Sequence, residues 1–193
     1  FNGIQNAGEA GIQDVPVQMI WAGPDGDIAT AADNRTYNTS TNLAGVYSFC
    51  GVVAGTYKII VLSPAMITPT RQNQGGNDVL DSDGLLTGMD LTMTMETFTI
   101  ANPVNMPTGE NGINDMGAAG ILGYADAQVD ETHDFGFAFL DYGDLPQEAQ
   151  GGQSYNTTMA ELGAIHVITP QLMLGTCVDA ERDGQPDDDA GVY

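Results

Sequence analysis

The sequence predicts an all-β protein whose main part is a β-sandwich, followed by an additional small β-rich C-terminal segment. Short runs alternate between apolar and polar residues, which is the period of a half-buried strand. Turn residues are frequent, with 25 Gly and 9 Pro among 193 residues. Amphipathic helical periodicity is hard to find along the chain. Short strands separated by frequent turns are typical of a sandwich.

The strands are predicted in chain order from these alternating runs. They are residues 15–21, 45–49, 57–62, 91–100 and 135–140. In the fourth run the apolar positions change phase between Met95 and Phe98, which predicts a β-bulge. Residues 101–133 are rich in Asn, Gly, Ala and Met and are predicted to form a long loop or insertion. The segment after Leu140 is short for a core of its own, so we expect it to pack on something else.

The charge balance limits the partners of the chain. Lys plus Arg number 4 and Asp plus Glu number 26, which gives a formal net charge of −22. Nucleic-acid binding is excluded because phosphate contacts need clustered basic residues. No run approaches the roughly 18 to 20 apolar residues of a membrane helix, so no membrane insertion is predicted. The excess of acids favours binding of divalent cations. Acidity that serves solubility alone is the alternative.

Three loops place acids and amides at the spacing of a calcium-binding loop, which takes ligands at positions 1, 3, 5, 7, 9 and 12 with Gly at 6. Asn2, Asn6 and Glu9 fit positions 5, 9 and 12, and Gly3 fits the turn. Positions 1 to 3 would precede Phe1, so the chain is expected to begin inside this motif.

The second and third loops are denser in carboxylates. Asp78, Asp81 and Asp83 can converge on one ion if their loop curls. In the third loop four acids occupy positions 1, 3, 5 and 9, and these are Asp179, Glu181, Asp183 and Asp187. We therefore predict Ca²⁺ as the bound ion in all three loops. Ordinary solvated acids with no ion are the alternative.

Recognisable catalytic patterns are missing, and the prediction is that the chain is not an enzyme. Neither His133 nor His166 has the paired spacing of a transition-metal site, so both are interpreted as structural. Nucleotide-binding loops and nucleophile elbows are also missing. Cys50 and Cys177 lie far apart in sequence, and either one disulfide or two separate thiols fits the sequence.

Residues 1–140 resemble the SdrD B-like domains of bacterial surface proteins. The motifs that carry the resemblance are Asn2-Gly3-Ile4-Gln5, Gly8-Glu9-x-Gly11-Ile12, Val15-x-Val17, Ala44-Gly45-Val46-Tyr47-Ser48-Phe49, Gly55-Thr56-Tyr57, Asp81-Ser82-Asp83 and His133-Asp134-Phe135-Gly136-Phe137. The resemblance implies an Ig-like or prealbumin-like β-sandwich that binds calcium through its acidic loops. The segment 101–133 is longer than the corresponding segment that the family pattern leads us to expect.

Residues 141–193 resemble the start of a GEVED domain, a module of large secreted bacterial proteins. The motifs are Asp141-Tyr142-Gly143-Asp144-x-Pro146, Gly163-Ala164-x-His166-Val167-Ile168, Leu174-Gly175 and Asp179-Ala180-Glu181-x-Asp183-Gly184-Gln185-Pro186. The resemblance implies a secreted or cell-surface location and a partial second domain.

The function predicted from these observations is an extracellular structural module of a bacterial surface or filament-forming protein. Calcium is expected to stabilise it, and neighbouring copies are expected to join through β-edge contacts as a homo-oligomer or filament. An adhesin-type module that binds a host or matrix ligand through residues 101–133 is one alternative. An accessory domain of a secreted hydrolase is the other.

Overall fold

The chain is all-β in the computed structural model, which describes residues 2–63, 67–86, 93–108, 126–143, 158 and 163–168. Within these residues the regular elements are eight strands and one 3-10 turn, Asp126–Gln128. The strands are β1 (Pro16–Trp21), β2 (Arg35–Ser40), β3 (Gly55–Leu62), β4 (Ile67–Pro69), β5 (Leu85–Leu86), β6 (Met93–Ile100), β7 (Phe137–Tyr142) and β8 (Ile165–Val167). The predicted all-β class is confirmed, and the two sheets are consistent with an Ig-like, B-type sandwich. The described residues include no helix long and apolar enough to cross a membrane.

Two compact units make up the chain. The first comprises residues 1–63 and 69–136, and the second comprises residues 64–68 and 137–193. The sequence-based division into residues 1–140 and 141–193 rests on family resemblance rather than on contacts, and it stays a prediction.

The first unit contains a five-stranded sheet in the order β2-β1-β3-β6-β5, with every neighbouring pair antiparallel. Alternate residues of its central strands face a common core, as the period of a strand requires. Val17 and Met19 of β1 are buried opposite Val61 and Ile59 of β3. Tyr57 of β3 lies on the same face and is also buried. The cross-strand apolar pairs therefore fix the register of the sheet.

Residues 45–49 do not form a strand, and that prediction is wrong. The side chain of Asn42 accepts hydrogen bonds from the backbone N–H groups of Ala44 and Val46, which closes a turn. Tyr47 then packs against Phe49 at a ring-centroid distance of 6.0 Å. The alternating apolar residues thus serve side-chain packing rather than pairing in a sheet.

The strand β2 was missed for the opposite reason. Five of its six residues are exposed, so it shows no apolar and polar alternation. It pairs with β1 along its whole length, with Pro16 opposite Ser40 and Trp21 opposite Arg35. The short strands β4, β5 and β8 were missed because two or three residues carry no measurable periodicity.

The predicted bulge in β6 is also wrong. The strand pairs with β3 residue for residue, from Leu62 opposite Met93 to Gly55 opposite Ile100. Thr97 and Thr99 are exposed, whereas Glu96, Phe98 and Ile100 lie in the inward phase. The change of phase in the sequence therefore marks an acid that faces inward, and it does not mark an extra residue.

The other sheet has three strands in the order β4-β7-β8. The last two strands are antiparallel, with Leu140 opposite Val167 and Tyr142 opposite Ile165. Leu140 and Tyr142 are buried, and the backbone N–H of Ile168 continues the pairing by donating to the carbonyl of Phe139.

Candidate metal centre

The first two predicted acidic loops lie side by side in the first unit. Ile4 forms an isolated antiparallel bridge with Asp81. The backbone N–H of Gln5 donates to the carbonyl of Leu80 at 2.6 Å, and the N–H of Ser82 donates to the carbonyl of Gly3 at 3.1 Å. The N-terminal segment therefore holds the backbone of the second loop in place.

This anchoring brings three predicted ligands together. Asp78, Asp81 and Asp83 each offer a carboxylate oxygen within 4.8 Å of the others. Asp78 is exposed, whereas Asp81 and Asp83 are only 5% and 6% exposed. The Oδ1 atom of Asp81 is buried and has no hydrogen-bond partner. A buried carboxylate oxygen without a partner is costly, and a cation at this point would offset that cost.

Burial also changes the acidity of this cluster. It raises the pKa of Asp81 above its usual value, and the negative charge of Asp78 raises it further. Burial raises the pKa of Asp83 to about 7, although a hydrogen bond from the backbone of Asp134 acts in the opposite direction. Both carboxyl groups are therefore harder to ionise than exposed acids. A divalent cation would favour their ionised forms.

In the first acidic loop, side chains form hydrogen bonds with other residues of the same loop. The Asn2 side chain accepts a hydrogen bond from the N–H of Ile4 at 3.1 Å. The Glu9 carboxylate accepts hydrogen bonds from the backbone and the side chain of Asn6, at 2.9 and 3.3 Å. Asn2, Asn6 and Glu9 are all exposed. The loop geometry thus joins Asn6 to Glu9, while ion binding by these residues stays a prediction.

The remaining predicted residues are only partly covered by the structure. Cys50 is exposed and Cys177 lies outside the described residues, so the disulfide stays a prediction. The residues of the third acidic loop also lie outside the described part, namely Asp179, Glu181, Asp183 and Asp187.

A second cluster, which the sequence analysis missed, surrounds His133. Its Nδ1 atom lies 2.9 Å from Oε2 of Glu96, and its Nε2 atom lies 3.5 Å from Oδ2 of Asp130. The second distance is long for a hydrogen bond, so that contact is mainly electrostatic. Burial lowers the pKa of His133, but the two carboxylates outweigh burial and raise it to about 10.

The two clusters meet at Asp83. Its Oδ2 atom accepts a hydrogen bond from the backbone N–H of Asp134 at 2.7 Å, and its own N–H donates to the carbonyl of Asp134. Burial and the nearby charge of Asp83 raise the pKa of Asp134 to about 7. The Tyr47 hydroxyl donates to the carbonyl of His133 at 2.6 Å, and burial raises its pKa well above the usual value. The inward phase of Glu96 was the signal that could have revealed this cluster.

A cavity of about 370 Å³ borders the histidine cluster. Its apolar lining includes Met19, Ile59 and Phe98 on the inner face of the five-stranded sheet. His133 and Asp134 line its polar side. The cluster is therefore next to space that water or a ligand can enter.

Comparison with known proteins gives one family and several relatives. The family model described as "SdrD B-like domain" matches residues 1–106. A "Serine-aspartate repeat-containing protein F" of Staphylococcus epidermidis is 24% identical over 200 residues, covering 97% of this chain and 11% of that protein. A "Serine-aspartate repeat-containing protein D" of Staphylococcus aureus strain Newman is 28% identical over 141 residues, covering 68% of this chain and 10% of that protein. The chain thus spans about a tenth of the length of these relatives. No solved structure matches it.

Proposed function

The chain belongs to the SdrD B-like domain family, and on that premise we propose that it is an extracellular structural module of a bacterial surface protein, stabilised by calcium. Its relatives are long bacterial proteins of which the chain spans about a tenth, which supports a modular role. The partial GEVED-like domain over residues 141–193 belongs to the same proposal and rests on the sequence motifs. A host or matrix ligand stays an untested alternative.

The observation that carries the calcium proposal is the buried, unpartnered Oδ1 atom of Asp81 beside two further carboxylates. Calcium takes six to eight oxygen ligands at about 2.3 to 2.6 Å, so three carboxylates are a partial set. Backbone carbonyls and water are the usual source of the others. A cluster of carboxylates without nitrogen or sulfur ligands is suited to this ion rather than to a softer metal.

Calcium titration by isothermal calorimetry tests the proposal. Asp81→Asn keeps the shape of the side chain and removes its charge, so we expect it to weaken calcium binding strongly. Asp25→Asn is the matched control, because Asp25 is exposed and uses one oxygen to accept the N–H of Asp27, which asparagine can also do. Equal calcium affinity in the wild type and in Asp81→Asn would reject the site.

The exposed edge strand β2 supports the proposed assembly of neighbouring copies. Among the residues that the structure describes, it ends the five-stranded sheet, and one side of its backbone has no neighbouring strand in that sheet. Such an edge is a template for pairing with another chain. The strand has no Lys and no Pro, the residues that commonly block edge pairing. We therefore assign the β-edge contact to β2.

Sedimentation velocity at increasing protein concentration tests this contact. We expect the wild type to associate and Tyr37→Asp to remain monomeric, because two like charges brought together across paired strands repel. Thr99→Asp is the control, since Thr99 is exposed on β6, an inner strand of the same sheet. A wild type that stays monomeric at every concentration, with and without calcium, contradicts the assembly.

A further inference from the structure

The environment of His133 has the arrangement of a metal-binding histidine. One ring nitrogen, Nδ1, faces Glu96 at 2.9 Å, and the other, Nε2, faces the carboxylate of Asp130 at 3.5 Å. Histidines that bind metals usually direct their second ring N–H to a carboxylate or carbonyl, which fixes the tautomer and the ring orientation. Asp130 lies on the side of that supporting carboxylate, and at 3.5 Å its contact with Nε2 is electrostatic rather than a hydrogen bond.

The other two groups complete a ligand set. Asp83, Glu96 and His133 each offer a ligand atom within 4.8 Å of the others. Ligand atoms bound to one tetrahedral ion at about 2.0 to 2.2 Å lie roughly 3.3 to 3.6 Å apart. Binding one ion would therefore require the three side chains to adjust their separations. We propose that Asp83, Glu96 and His133 bind a transition-metal dication of the Zn²⁺ class.

The surroundings hold the three ligands before any ion binds. The ring of His133 packs on Phe98 with their centroids 3.9 Å apart. The Tyr47 hydroxyl donates a hydrogen bond to the backbone carbonyl of His133. Asp83 is held by two hydrogen bonds with the backbone of Asp134, one through its side chain and one through its own N–H. The side chains of His133 and Glu96 are only 15% and 17% exposed. Such a rigid, largely buried set loses little conformational entropy when a metal binds.

The imidazole distinguishes this site from the calcium site. Calcium prefers oxygen ligands, whereas a set of one imidazole and two carboxylates suits Zn²⁺ and its neighbours. The adjacent cavity leaves room for water as a fourth ligand, which His133 and Asp134 border. The two sites share Asp83, but Asp78 and Asp81 belong to the calcium cluster alone. The two proposals can therefore fail separately.

A bound ion would connect three separate parts of the first unit. Asp83 lies in the second acidic loop, Glu96 lies in β6, and His133 lies in the segment before β7. A metal that binds only the folded state stabilises it by mass action. The ion would act as a cross-link within the module, in addition to calcium.

The direct test observes the ring nitrogens of His133 by long-range ¹H–¹⁵N NMR of the wild-type protein, in calcium-free buffer, as Zn²⁺ is added. We expect the Nδ1 resonance to move to the position of a metal-bound nitrogen while Nε2 keeps its proton. The exposed His166 is the internal reference and should not change. Unchanged His133 resonances at saturating Zn²⁺ would overturn the proposal without any need for a variant.

Variants separate the two metals. In Zn²⁺ calorimetry we expect His133→Gln to abolish the wild-type binding event and Asp130→Asn to weaken it by about 10- to 100-fold. His166→Gln is the matched control and should bind as the wild type does. Asp81→Asn should lose calcium binding and keep Zn²⁺ binding. If His133→Gln remains folded by circular dichroism and binds Zn²⁺ with wild-type affinity, the assignment is wrong.

Discussion

Replacing Asp83 by asparagine is expected to stabilise the first unit strongly in the absence of calcium and much less in its presence. Burial raises the pKa of this carboxyl to about 7 from a usual value of 3.8. Each pKa unit corresponds to about 1.4 kcal/mol, so ionised Asp83 costs on the order of 4 kcal/mol at pH 8 in the absence of a cation. Asparagine removes the charge and can still accept the N–H of Asp134. In chelator at pH 8, Asp83→Asn should therefore raise the free energy of unfolding.

Calcium narrows this difference because it pairs the wild-type carboxylate. At a calcium concentration 100 times the dissociation constant, the wild type gains about 2.7 kcal/mol, which the variant should largely lose. The assay is urea unfolding of both proteins at pH 8, in EDTA and in calcium. Asp25→Asn should stay within about 0.5 kcal/mol of the wild type in both media. Destabilisation by Asp83→Asn in EDTA would refute the reasoning.

Three further predictions concern the core, a close backbone approach and pH. Ile59→Ala removes a buried core side chain and should cost about 2 to 5 kcal/mol in urea unfolding, whereas Val53→Ala at an exposed site should cost little. Gly11→Ala should cost about 1 to 3 kcal/mol in the same assay, because its Cβ would overlap the backbone of Ala44. A pKa of His133 raised to about 10 contributes stability that is complete below pH 6.5 and lost as pH rises through 10. Unfolding in EDTA at pH 6, 8 and 10 should show this loss in the wild type and a smaller one in His133→Gln, and equal pH profiles would contradict the ion-pair geometry.

The all-β class and the central strands were predictable because their side chains obey one simple period. In β1 and β3, buried Val17, Met19, Ile59 and Val61 alternate with less buried residues. The same rule fails for β2, which is exposed on both faces and therefore has no alternation to read. It also fails for residues 45–49, where the alternation serves aromatic packing around Tyr47.

The candidate site was predictable only where its ligands are close in sequence. Asp78, Asp81 and Asp83 lie within six positions, and the structure brings their oxygens together. The histidine cluster joins Glu96 to His133, which are 37 positions apart, so no local spacing in the sequence indicates it. The one clue was the phase of Glu96 in β6, which the sequence analysis attributed to a bulge. A polar residue in an inward phase is evidence for a partner elsewhere in the fold.

Thermal unfolding of the wild-type protein in EDTA and in excess calcium tests the central claim most directly. The claim is that a cation held by the acidic loops stabilises this module. A stabilisation of about 2.7 kcal/mol at 100 times the dissociation constant corresponds to a melting temperature roughly 5 to 10 °C higher in a chain of this size. We expect EDTA to lower the melting temperature by that amount and added calcium to restore it. The same melting temperature in both media would contradict the account.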